Sequence, residues 1–432
     1  MINFKQLRGE PLVRGSFIAL VGAILVGFGN YLFQVLMGRM LSPSEFGALA
    51  SLLSLSIILT VPNQAISLTT TKFVAKLFAK GQIDVLPAYA RNLALQILPF
   101  GVFLSGIVVL LSAQIEHFLN LHQTGALYIL ALCFLFSFFS PLELGIYRGL
   151  QNFAQSAIAQ IISVIIKIVL ATILVFIGFG VNGALWAYFV SILVLILYVF
   201  INLKLYRGFN FKEIKTKINL KITSSAWITL LVSFCLIAFY NFDVILVKHF
   251  MSASDAGHYA LISLAGKIII FITSSVSNVM FPIATNNYEK GKSNLRLISM
   301  SALFITLVAA LISLLYALTP KLIIKVLFGA QYLGIANLLW LGGVIFGLYS
   351  IINFFSLYFL SIQKSKFSLI LALGVFLEII SISLWHNNIQ MVLYSMLFPM
   401  IFMFISLFIY YFVTSKTKKI LYEENIDHST NI

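Results

Sequence analysis

The chain has 432 residues, of which 61% are hydrophobic and only 9% charged, against about 25% charged in an ordinary soluble protein. With a mean hydropathy of +1.03, no water-soluble fold has an interior large enough to hide the apolar surface, so the solvent must be lipid. The charge is one-sided, with 28 Lys and Arg against 13 Asp and Glu; that excess would point to nucleic acid in a soluble chain, but membrane topology explains it better here.

A bilayer-crossing helix needs about 20 mostly apolar residues. Such runs fall at 16–38, 47–69, 93–112, 125–147, 156–178, 183–203, 225–247, 257–284, 297–319, 334–360, 368–385 and 391–413. The first is too long for a signal-peptide core, and no small-residue cleavage site follows it. The expected fold class is therefore all-α integral membrane, with about 12 transmembrane helices.

Basic residues set the orientation. With the N-terminus inside, the outer loops hold only Arg39, Lys248, Lys321 and Lys325, and Lys167 and Lys267 fall within spans. All other Lys and Arg lie on inner segments, a strong positive-inside bias that independently checks the span count. Both termini are expected in the cytoplasm. The outer loops are short and offer no extracytoplasmic domain.

The chain also matches itself. LSPSEFG at Leu41–Gly47 parallels MSASDAG at Met251–Gly257, Lys80-Gly81 parallels Lys290-Gly291, and Leu150-Gln151 parallels Ile362-Gln363. In the same register, Asn63, Gln64 and Ser67 fall on Thr273, Ser274 and Ser277. Polar positions thus recur six helices later in an apolar background. The predicted organisation is two pseudo-symmetric six-helix lobes around a central cavity, at 1–203 and 225–413. A basic cytoplasmic linker at 204–224 joins them, and a cytoplasmic tail occupies 414–432. An even number of spans gives both lobes one orientation, an arrangement used for alternating access.

GRMLSPSEFGAL at 38–49, YRGLQNF at 147–153 and NFDVILVKHFMSASDAGHYA at 241–260 resemble the polysaccharide-transport, oligosaccharide-flippase branch of the multidrug/oligosaccharidyl-lipid/polysaccharide (MOP) exporter superfamily. The resemblance runs over nearly the whole chain. It implies two six-helix lobes around a cavity and a cargo of polyprenyl-pyrophosphate-linked oligosaccharide moved from the inner to the outer leaflet. Implied partners are that cargo, membrane lipids, a glycan polymerase and glycosyltransferases, with no nucleic acid. The two extra C-terminal helices of the peptidoglycan-precursor flippase are lacking, which disfavours lipid II.

An ionisable group inside the bilayer costs about 2.5–3.5 kcal/mol on insertion scales and needs a partner, a wet cavity or a use. Lys167 and Lys267 lie too deep to snorkel, and as compact cations they suit a lumen that receives pyrophosphate. Asp243 can pair with Lys267 or Lys248 and is a gating or coupling candidate. Glu378 falls in the second lobe almost where Lys167 falls in the first, and is a candidate to bind a coupling H+ or Na+. Structural ion pairs are the alternative for each. Glu143, beside Arg148, reads as an interfacial anchor. Asn30 and Gln34 share a face of the first helix. With Asn63, Gln64, Ser274 and Asn278 they are candidate cavity-wall residues, their amides and hydroxyls suiting sugar hydroxyls and interhelical bonds equally.

No phosphate-binding loop, metalloprotease, nucleophile-elbow or Cys/His motif appears, and neither Cys133 nor Cys235 has metal or disulfide spacing. No cofactor, metal or enzymatic activity is expected. Two rivals remain: a cation-coupled multidrug exporter of the same superfamily, which would want an acidic cavity, and a membrane glycan polymerase or glycosyltransferase, which would want acidic catalytic residues and a larger outer loop.

Overall fold

The computed structural model describes the backbone of residues 11–82, 85–121, 125–203 and 224–430. The linker expected at 204–224 lies almost entirely outside these residues, and most side chains of the tail and that of Glu143 lie outside the described ones.

Among the described residues the secondary structure is helical throughout. The order is α1 (Pro11–Met40), α2 (Pro43–Leu59), α3 (Asn63–Ala79), α4 (Leu86–Leu110), α5 (Ser112–Phe118), α6 (Gly125–Ser137), α7 (Ser140–Gly149), α8 (Phe153–Phe176) and α9 (Gly180–Asn202). Then follow α10 (Ser224–Phe239), α11 (Phe242–Phe250), α12 (Ala253–Glu289), α13 (Leu295–Leu318), α14 (Pro320–Leu327), a 3-10 stretch (Ala330–Leu338), α15 (Leu339–Ser361), α16 (Phe367–Leu384) and α17 (Ile389–Thr430). Among the described residues, ten helical segments are long and apolar enough to cross a membrane, or 12 when two bent pairs each count as one span. Each coincides with one of the runs expected from hydropathy. The protein is a multi-pass membrane protein.

Two of these spans are broken. Hydropathy gives one continuous apolar run through each place, yet α2 and α3 meet at 45° and the α10–α11 pair bends by 42°. Pro62 lies in the first break and has no amide hydrogen to continue the ladder. At the second, the Asn241 side chain donates back to the Ile237 carbonyl at 2.8 Å, and its amide bonds Ala238 at 3.1 Å in place of the regular helical partner. A side-chain amide that competes for backbone acceptors in this way disrupts a helix. Asp243 therefore stands in the first turn of a new helix, where exposed amide groups favour a carboxylate.

Two compact units emerge. The first comprises Met1–Leu230, Ser252–Ala260 and Leu327–Gly329; the second comprises Leu231–Met251, Leu261–Val326 and Ala330–Ile432. In the first, α8 packs on α1 and α9, α3 on α7, and α6 on α4 and α9. In the second, α15 packs on α13 and α17, and α16 on α11 and α17. Helices in lipid gain little from apolar burial against one another, so close approach of small residues carries much of the association. Gly15, Gly22 and Gly29 line the α1 face toward α8. A Cβ on Gly22 would come within 2.5 Å of Ala157, and one on Gly29 would collide with Val164.

The sequence repeat has a conformational basis. Ser42 caps α2 with a complete capping box, its Oγ accepting from the Glu45 amide at 3.4 Å and the Glu45 carboxylate accepting from the Ser42 amide at 3.0 Å. Ser252 accepts from the Asp255 amide at 3.1 Å and donates to the Asp255 carboxylate at 2.6 Å. The paired glycines, Gly81 and Gly291, have φ of 69° and 68° and close their helices with the doubled carbonyl bonds of a left-handed cap. Gln151 and Gln363 do the same at φ of 58° and 57°. The weak self-match thus records helix starts and stops.

Candidate functional site: two buried polar clusters

The first cluster forms between α1 and α8. The small α1 face brings Asn30 next to Lys167, which is only 6% exposed. The Lys167 ammonium donates to Asn30 Oδ1 and sits 4.8 Å from the Phe33 ring centroid and 5.7 Å from that of Tyr188. The Tyr188 hydroxyl is in turn bonded to Ser56. Two residues singled out separately in the sequence, Asn30 and Lys167, therefore touch. An amide oxygen and two ring faces together offer a buried ammonium partial negative charge without a counterion.

The second cluster lies in the second unit. Glu378 on α16 and Asp243 on α11 are both 0% exposed and interact electrostatically with each other. Among the described residues, neither Glu378 oxygen has a hydrogen-bond donor. Asp243 Oδ2 accepts from Ser263 at 3.0 Å. Lys267 on α12 interacts with Asp243 and lies 5.5 Å over the Tyr240 ring, and it is less buried than Lys167. Tyr349 approaches both Tyr240, at 5.4 Å between centroids, and Glu378, while its own hydroxyl donates to the Leu236 carbonyl at 2.9 Å. Asn241 Oδ1, one residue before α11, likewise has no donor among the described residues. A buried carboxylate whose own oxygens lack donors, set beside a second carboxylate, offers acceptor oxygens to a proton or a small cation.

Other expected site residues are more scattered. Asn63 donates to the Ser137 carbonyl at 3.3 Å, and Ser274 bonds its own helix at Phe271, 3.0 Å away. Gln34 is half-buried, and Gln64 and Asn278 are exposed. Arg148 reaches Ser67 at 3.5 Å. Lys248, assigned to an outer loop by hydropathy, lies inside α11 and is buried. Sequence reasoning misses Tyr240, Asn241, Ser263 and Tyr349; only the Asn-Phe-Asp run at the start of α11 offers a signal for any of them. No group of three or more His, Cys, Asp or Glu suited to a metal occurs among the described residues.

Residues 36–337 match the family model described as polysaccharide biosynthesis protein, which spans more than half of the chain. The chain belongs to the polysaccharide biosynthesis protein family. No curated protein matches it. Among solved structures, a multidrug resistance MATE family transporter of the MOP superfamily is similar in its inward-facing conformation, with a TM-score of 0.71, 13% identity, and coverage of 93% of this chain and 98% of that one. A MATE family transporter in an outward-facing conformation gives 0.61 at 15% identity, over 97% and 99% of the two chains. A MOP superfamily transporter from Pyrococcus furiosus, described as having a binding pocket of reverse polarity, gives 0.60 at 14% identity, over 97% and 99%. At these identities the likeness is one of fold. This member of the polysaccharide biosynthesis protein family thus shares its fold with membrane transporters.

Proposed function

We propose that the protein is a flippase that carries polyprenyl-pyrophosphate-linked oligosaccharide from the inner to the outer leaflet of the cytoplasmic membrane by alternating access, for cell-surface polysaccharide biosynthesis. Both termini face the cytoplasm, and the halves 1–203 and 225–413 act as the moving lobes. The observation that carries this reading is membership of a polysaccharide biosynthesis family by a chain whose fold is that of a transporter. A lipid-linked glycan must bring its pyrophosphate through a region of low dielectric, where an uncompensated charge is costly. Lys267 lowers that barrier: an ammonium on a membrane-spanning helix suits phosphate oxygens. Asn30 is engaged by Lys167, Asn63 by the Ser137 carbonyl and Ser274 by that of Phe271, while Gln34, Gln64 and Asn278 supply hydrogen bonds along the sugar's path. Asp243 and Glu378 bind the coupling H+ or Na+, and Asp243 releases Lys267 when it does so.

The buried carboxylates would equally serve a cation-coupled drug exporter, and one experiment separates the two. In a strain lacking its oligosaccharide flippase, the wild-type protein is expected to restore surface glycan and clear the accumulated lipid-linked intermediate. Lys267→Ala is expected to lose at least nine-tenths of that activity, about 1.4 kcal/mol or more of barrier, while inserting normally. Raised drug tolerance without glycan export would overturn the reading, and normal export by Lys267→Ala would overturn the role of that lysine.

A further inference from the structure

The two clusters occupy related places in the repeat. The register that aligns the Ser42 and Ser252 caps sets Asn30 on Tyr240 and Phe33 on Asp243, and the register of Gln151 and Gln363 sets Lys167 beside Glu378. The helices concerned are α1 with α8 in the first unit and α11 with α16 in the second, each a packed pair. Where the second unit has two carboxylates and a gap in hydrogen bonding, the first has a ring, an amide and a lysine ammonium bonded to that amide.

We infer that Asn30, Phe33 and Tyr188 form a site for a small primary ammonium, which Lys167 fills permanently from within the chain, so that only the second unit exchanges its cation. The chemistry of the two linings agrees. A site that must release a free cation and take it back benefits from titratable or formally charged ligands, as Asp243 and Glu378 provide. A site whose cation is covalently attached loses no translational freedom on filling it and can be neutral, and its ring faces and amide oxygen suffice. Burial of Lys167 away from solvent fits an occupant of a closed cage better than a group that must meet cargo. This inference rests on the repeat and on the first cluster; only its contrast with the second unit draws on the coupling reading above.

The test is thermal unfolding of the purified full-length protein in detergent, which involves neither cargo nor transport, so its failure is separable from failure of the flippase reading. Lys167→Ala removes a propylammonium-sized group and is expected to lower the melting temperature by several degrees. Millimolar propylammonium is expected to restore at least half of the loss, with no effect on wild type, while 1-propanol restores little. Equal rescue by 1-propanol would mean that the lysine merely fills space and would overturn the proposal; so would no rescue by either, or an equal shift in wild type. Should Lys167→Ala not fold, Lys167→Met retains most of the volume without the charge. A melting temperature well below wild type supports the cage, and one equal to wild type overturns it.

Discussion

Replacing Glu378 by Gln removes a buried carboxyl group that has no hydrogen-bond donor for either oxygen and keeps its shape. Because a buried charge costs more than a neutral amide of the same shape, Glu378→Gln is expected to leave the melting temperature of the purified protein unchanged or raised by a few degrees. It should also abolish the dependence of transport on the ion gradient. A clear drop in stability with coupling intact would mean that the carboxylate is a structural partner. At this scale the sequence is partly legible. Lys167, Lys267, Asp243 and Glu378 stand out because any ionisable group in an apolar window demands an explanation. Their partners do not: Tyr240 and Tyr349 look like membrane bulk, and Ser263 is one of many hydroxyls. Only folding brings these onto the carboxylates. Likewise the expected rivalry between Lys267 and Lys248 for Asp243 could not anticipate Ser263 as a partner.

The spans are legible, since their length is dictated by the bilayer and their caps by local chemistry, but α4 begins at Leu86, well before the run expected from 93, and α17 continues past 413 to Thr430. Ser42 and Ser252 are the best example, each followed three residues later by an acid that completes the cap. Ser42→Ala is expected to cost about 0.5–2 kcal/mol, read as a lower melting temperature, and Ser252→Ala a similar amount. If both changes left stability untouched, the caps would not be what the repeat preserves. Pro62 marks the α2–α3 bend, whereas the α10–α11 bend is not legible, because hydropathy averages over a window and is blind to one asparagine. At the α10–α11 bend, Asn241 takes the Ile237 carbonyl and frees the first turn of α11 to receive Asp243. Short α5 and α14 also escape notice, being shorter than any window that finds a span.

At the scale of the molecule, composition alone places the chain in lipid, and twelve apolar runs become ten spans and two bent pairs. The internal match is faint in letters yet clear in conformation, with Gly81 and Gly291 sharing a left-handed backbone. The family agrees with the branch suggested by the motifs. What no single residue could announce is the contrast between the two clusters, a lysine among neutral groups in one unit and two carboxylates with a lysine beside Asp243 in the other. Transport of an anionic lipid-linked glycan, driven through the second cluster, is the central claim. Its most direct test is flipping of a polyprenyl-pyrophosphate-linked oligosaccharide in proteoliposomes of the purified protein, with an H+ or Na+ gradient imposed in either direction. Gradient-dependent translocation is expected of wild type and of Ser252→Ala, and none of Lys267→Ala; translocation at the same rate with no gradient, or in protein-free vesicles, would contradict the claim.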